Sequence, residues 1–385
     1  MEAKGESDAL HYLNTLRQHS GLIKLKANKK LNHATKAHAS YLVRQQKNGH
    51  LEKKGWRGYT GKTPSDRVLK AGYLSRMVME NVTVNTKNYR DSIDVLFSAI
   101  YHRFVFLNFD KDEIGMGNAI TKKSKRIHSS FVYNLGSKEI EKLCEGYYLK
   151  QNGFFYMQNL CADSSVEVPE YRVKEKQDKI RVKNSNIILY PYKDAHNISP
   201  VFYTESPHPL PGSKVSGFPI SVQFNPSAYS KVHLKEFSLY DAKGKEVKKK
   251  KIITESNDKY KRFTPLQFAF MPLERLAFNT KYRVAFEAIT DGKRVKKSWY
   301  FTTTKPKGTL YTITQKKRTI KVAKGDTIVL YFKPKSNKDI LGHIKYRGKL
   351  NIKHLDKNTL ILTIPKKPTA KGFYVRVGGR EVILK

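Results

Sequence analysis

The chain has 385 residues, too many for one ordinary core, and roughly two to four folded units are expected. Lysine and arginine number 74 against 33 acidic residues, giving a formal charge of +41. At 39% hydrophobic and 11% aromatic the chain can bury cores, so the charge does not imply disorder. No run of about eighteen apolar residues is present, which excludes a membrane-spanning helix.

The excess positive charge concentrates anions at the surface in a salt-sensitive way. It is spread over Lys122 to Arg126, Lys248 to Lys251 and Lys293 to Lys297 rather than gathered on one helix or beside stacking aromatics. Anionic lipid, lipopolysaccharide and acidic glycan are therefore the candidate partners. Nucleic acid is not expected as a specific partner. The opening Met1-Glu2-Ala3-Lys4 is polar and does not read as a signal peptide, so the protein is either cytosolic or has lost a leader. Cys144 and Cys161, the two cysteines, suit a local disulfide of an oxidising compartment; two unrelated buried thiols is the alternative.

Residues 6 to 19 read as a helix with Ser7 as cap and Leu10, Leu13 and Leu16 on one side. Asn28 to Gln46 reads as a second helix. Its histidines, His33 and His38, are five apart and point away from each other, so they do not form a helical metal pair. His38 lies on the apolar side and reads as a hydrogen-bonded core or boundary histidine. Asn48-Gly49-His50 leaves the helix, and a glycine-rich loop follows. Thr63-Pro64-Ser65-Asp66 starts a third helix, with proline in its first turn. Met77 to Val84 is extended and carries Glu80. Arg90 to Arg103 reads as one helix ending in His102 and Arg103. Glu113 to Ile120 and Ile127 to Leu135 read as a hairpin with a charged tip at Lys122 to Arg126. The first segment is thus an α+β unit of about 140 residues.

Residues 144 to 186 read as a polar connector. From Ile187 the texture changes to short apolar runs separated by turn residues. Asp291-Gly292 between two alternating runs is a hairpin signal, and residues 187 to 304 are expected to form a β-sandwich. Residues 305 to 385 read as a second, smaller β unit. The fold class expected is multidomain, an N-terminal α+β unit followed by two all-β modules.

His50, Glu80, His102 and Glu113 are the candidate site. Two histidines and a carboxylate can hold zinc or another divalent metal with an open position and generate a hydroxide nucleophile. The same set can equally be a hydrogen-bonded polar cluster. No Ser/His/Asp or Cys/His constellation is evident.

Several short motifs occur in a fixed order: Leu13-Asn14-Thr15-Leu16-Arg17, Gly21-Leu22, Leu31-Asn32, Ala37-His38-Ala39-Ser40-Tyr41-Leu42 and Asn48-Gly49-His50. Pro64-Ser65-Asp66-Arg67, Ala71-Gly72-Tyr73, Glu80-Asn81, His102-Arg103 and Glu113-Ile114-Gly115-Met116-Gly117 follow. Over residues 6 to 136 this resembles the bacterial branch of the CAP superfamily, or SCP-like domains. The resemblance implies an α-β-α sandwich over residues 1–143, an extracellular or periplasmic location, and a cleft with a His/Glu tetrad. Carried over, that tetrad is His50, Glu80, His102 and Glu113, with His50 and His102 as metal ligands. Met79 and Tyr101 depart from the family pattern by placing bulk near the cleft. Trp299-Tyr300-Phe301-Thr302-Thr303 resembles the last strand of bacterial Ig-like domains. The function implied is a secreted or periplasmic binding protein whose basic surface meets anionic envelope polymers or lipids. The competing reading is a metal-dependent hydrolase with Glu80 or Glu113 as general base.

Overall fold

The computed structural model describes residues 2–123, 126–368 and 372–385. Ser124 and Lys125, in the expected charged hairpin tip, lie outside them. An N-terminal α+β region is followed by a mostly β region of several sheets.

The first region contains helices α1 (Glu2–His19), α2 (Lys29–Gln45), α3 (Pro64–Lys70), α4 (Tyr89–Ser98), α5 (Ile100–Phe106) and α6 (Lys138–Leu143). Strands β1 (Lys26–Ala27), β2 (Met79–Val84), β3 (Glu113–Ile120) and β4 (Ser129–Gly136) form one sheet in the order β1-β3-β4-β2. Asn28 caps α2 by accepting from the Lys30 and Leu31 backbone N–H groups. Thr63 and Asp66 make a capping box for α3, with proline in the first turn. The expected single helix over residues 90 to 103 is instead two. The chain turns extended at Ala99 (φ −94°, ψ 118°), and α5 departs in a new direction.

α2 packs on one face of the sheet through Leu31, Ala34, His38, Ala39 and Leu42. Gly115 and Gly117 make this approach possible. A Cβ on Gly115 would sit 2.2 Å from the Leu31 carbonyl carbon, and one on Gly117 would sit 2.3 Å from the Lys36 nitrogen. Backbone atoms cannot swing aside, so Gly115→Ala should cost about 1–3 kcal/mol through overpacking. Urea denaturation measures it, and an unchanged midpoint would contradict the close packing.

The opposite face of the sheet, with Ile114, Met116, Phe131, Tyr133 and Leu135, packs on α1 and α4. The motif Leu13 to Arg17 is part of this layer. Asn14 brackets Leu25, donating to its carbonyl at 3.0 Å and accepting from its N–H at 2.7 Å. Arg17 is fully buried and donates to the carbonyls of Ile23, Phe106, Asn108 and Lys111. Burial pulls its pKa down to about 9.

Residues 144 to 186 are not all connector. Cys144 and Cys161 form a disulfide, and Glu170–Arg181 is a helix, α7. Only Val173 and Ile180 of α7 are buried. Two apolar anchors in a charged stretch give too weak a periodic signal to read from sequence.

Two four-stranded sheets follow. Ile187–Tyr190, Ile220–Phe224, Gln267–Pro272 and Lys249–Ile253 make one; Ala195–Ile198, Val232–Tyr240, Lys281–Thr290 and Lys293–Thr303 make the other. The hairpin at Asp291-Gly292 is present, both residues at positive φ (48° and 76°), as a tight primed turn requires. Trp299 is fully buried between the sheets and donates to the Pro191 carbonyl at 2.8 Å. Most buried residues of these sheets belong to the same hydrophobic cluster as α1, α4 and the first sheet, while Ile253, Ala269 and Met271 cluster with Ile100 and Phe104 of α5. The rings of Phe97 and Tyr190 lie 4.9 Å apart across the join. The last two sheets, within residues 309 to 384, enclose a separate cluster that includes Ile328, Leu330, Leu362 and Val375.

Candidate functional site

Four elements meet at one end of the first region. α2 supplies His38, the following loop His50 and Glu52, α3 Arg67, and β2 Glu80. One terminal nitrogen of Arg67 donates to both Glu80 oxygens, at 2.8 and 2.7 Å. The other donates to the His50 carbonyl at 2.9 Å. The His50 ring lies beside Glu80, Nδ1 to Oε1 3.0 Å. His38 is fully buried, and both its ring nitrogens face oxygen acceptors, Glu52 Oε1 at 2.8 Å and Gly49 O at 3.1 Å. The Thr60 N–H closes the network on Glu52 at 2.6 Å.

Burial alone would push the Glu80 carboxyl up. The His50 hydrogen bond and the Arg67 charge outweigh it, and the group sits below the usual carboxylate range. Glu52 behaves alike: burial is outweighed by His38, Thr60 and Arg67. Both carboxylates are thus held ionised around a buried guanidinium.

The four sequence candidates do not gather at one point. His50 and Glu80 do. Glu113 stands at the start of β3, where its carboxylate accepts from Tyr73 at 3.4 Å. Glu80 and Gly115 both pair with Asn134, so Glu113 lies two strands away and a further residue pair along. Burial raises its pKa, in an environment shared with Asn28 and Tyr73. His102, on α5, turns to a residue absent from the sequence expectation. Its Nδ1 lies 3.0 Å from Glu205 Oε2, and Glu205 also accepts from the Ile100 and Tyr101 N–H groups at 2.7 and 3.0 Å. α5 has no side-chain cap of its own, so this carboxylate from about a hundred residues downstream serves as one.

Tyr101 has a related role. Its hydroxyl donates to Asp258 at 2.5 Å and its ring packs edge-on against Phe263. The bulk before His102 therefore joins the first region to the sheets that follow. Arg103, fully buried, donates to Ser221 at 3.0 Å and stacks on Tyr190 and Phe218.

Residues 10–133 match the family model of CAP, the cysteine-rich secretory protein family. This CAP segment is about a third of the chain. Among solved structures, an outer surface protein from Borrelia burgdorferi is 19% identical, covering 35% of this chain and 92% of that one, with a TM-score of 0.29. An extracellular protein containing an SCP domain from Bacillus anthracis str. Ames is 16% identical, covering 34% of this chain and 40% of that one, with a TM-score of 0.29. No curated protein matches the chain.

His50, Glu80 and His102 are each engaged by protein partners and are not turned toward one common point. Glu80 is engaged by a guanidinium, whose charge repels a cation, and His50 and His102 are turned to different carboxylates. Among the described residues no group of three or more His, Cys, Asp or Glu is placed to hold one. Sequence reasoning passed over Glu52, Arg67 and Glu205 as site residues. Arg67 carried a signal, as the charged end of Pro64-Ser65-Asp66-Arg67; Glu52 and Glu205 carried none.

Proposed function

We propose that this is an extracellular binding protein, held at anionic envelope polymers by its basic surface, with the CAP network as scaffold rather than catalytic centre. The observation that carries this is the engagement of Glu80 by Arg67 and His50. A general base needs a carboxylate within reach of substrate, and this one is buried and saturated. The disulfide suits an oxidising compartment. The family matched over residues 10–133 is itself described as secretory. Lys248, Lys249 and Lys250 are exposed, as are Lys293, Arg294, Lys296 and Lys297 on the neighbouring sheet. Acidic glycan, lipopolysaccharide and anionic lipid are the partner classes such a surface meets.

Dextran sulfate tests the reading. Affinity should fall steeply and log-linearly with salt, with no base or sequence preference among nucleic acids offered in its place. Absence of binding at about 50 mM salt would overturn it. Ester and peptide substrates should remain unturned with or without added zinc.

A further inference from the structure

The segment closed by the Cys144–Cys161 disulfide, with the start of α7, exposes large apolar side chains to a degree unmatched elsewhere in the described chain. Tyr147 is 87% exposed, Phe155 81%, Leu149 70%, and Phe154 and Tyr171 50% each. They are held, not dangling. Tyr156 ties the loop by accepting from the Gln151 N–H at 2.8 Å and donating to the Leu149 carbonyl at 3.1 Å. The Glu170 N–H donates to the Phe155 carbonyl at 2.9 Å, and the Phe154 and Tyr171 rings lie 5.5 Å apart. Phe154, Phe155 and Tyr171 thereby rim a shallow groove of about 250 Å³.

A fixed, exposed aromatic patch marks an interaction surface. Its charge is the key to the partner. Residues 142–176 hold five basic and five acidic side chains, so this is a neutral island in a chain of +41. A polyanion would choose other parts of the surface. A second copy would bring two strongly positive bodies together. A lipid bilayer fits both features. The overall charge draws the molecule to an anionic membrane, and the neutral patch of Tyr, Phe and Leu enters the interface, where such side chains settle.

We propose that the loop between Cys144 and Cys161, with Tyr171, inserts into the interfacial layer of an anionic lipid bilayer. This goes beyond the polymer binding proposed above by adding an apolar, salt-resistant contact at a named site, and it rests on that reading only for the initial attraction.

The test uses the full chain and sedimentation with vesicles of phosphatidylcholine and phosphatidylglycerol in equal parts. Binding should persist at about 1 M salt, where exposed charges are screened beyond roughly 3 Å. The double variant Tyr147→Ser/Phe155→Ser changes only exposed side chains. It should bind about a hundredfold more weakly, about tenfold for each aromatic removed. Phe155→Trp should keep the affinity. Dextran sulfate binding should be the same in all three. Vesicle binding that disappears at high salt, or that the double variant retains in full, would overturn the proposal. The latter result would assign the patch to a protein partner instead. Loss of dextran sulfate binding by the parent chain would sink the polymer reading alone and leave salt-resistant vesicle binding as the measure of this one.

Discussion

Glu80→Ala is expected to destabilise the protein by about 3–5 kcal/mol, because it removes the carboxylate that the buried Arg67 guanidinium hydrogen-bonds and leaves only Glu52, 3.9 Å away, to balance its charge. Both side chains are essentially inaccessible, so the guanidinium left behind bears the full cost of its desolvation. Glu80→Gln should cost a similar amount, since an amide cannot neutralise the cation. The double variant Arg67→Met/Glu80→Leu should cost less than either single change, because it removes the charges together. Denaturant melts of the set decide it; additive losses would show that the pair is not coupled.

The same network sets an acid limit. Glu80 and Glu52 both have depressed pKa values in the folded state. A depressed carboxylate contributes stability that is present above its unfolded value, about 4.3, and lost as pH falls toward the folded value. Stability should therefore drop as pH falls below about 4.3, and Glu80→Gln should flatten that drop.

The second large effect concerns where the chain can be cut. A fragment ending at Leu143 should fail to fold stably, although it contains every CAP motif. In the whole chain Phe97 packs on Tyr190, Arg103 on Tyr190 and Phe218, and Ile100 and Phe104 cluster with Phe202, Phe263 and Met271. Exposing several such side chains at about 1.5–3 kcal/mol each rivals the 5–15 kcal/mol that a domain possesses. A fragment ending at Thr304 keeps these contacts and should melt in one transition. The full chain should show a further transition for residues 309 to 384, which have their own core. Calorimetry of the three species checks this. A cooperative melt with native aromatic ellipticity from the shortest would contradict the shared core.

The elements legible in the sequence were those with a local cause. The cap at Thr63 and the turn at Asp291-Gly292 each answer to nearby backbone. The buried role of His38 was legible from the apolar side of its helix. What escaped depends on partners far along the chain. Nothing near His102 announces Glu205, and nothing near Tyr101 announces Asp258. The break at Ala99 escaped for the same reason, since a distant carboxylate stabilises the helix start beyond it. Glu113 looked like a site residue because it opens a recognisable motif, but strand register decides its neighbours.

The tie between Glu205 and His102 has a consequence for anything that would engage that imidazole from solution. Glu205 is tethered and fixed by two backbone N–H groups, so its local concentration at the ring is millimolar or higher. A soluble acidic ligand must exceed that concentration, or bind several times over elsewhere, before it displaces the resident carboxylate. The protein supplies its own competitor at His102, always present and never diluted.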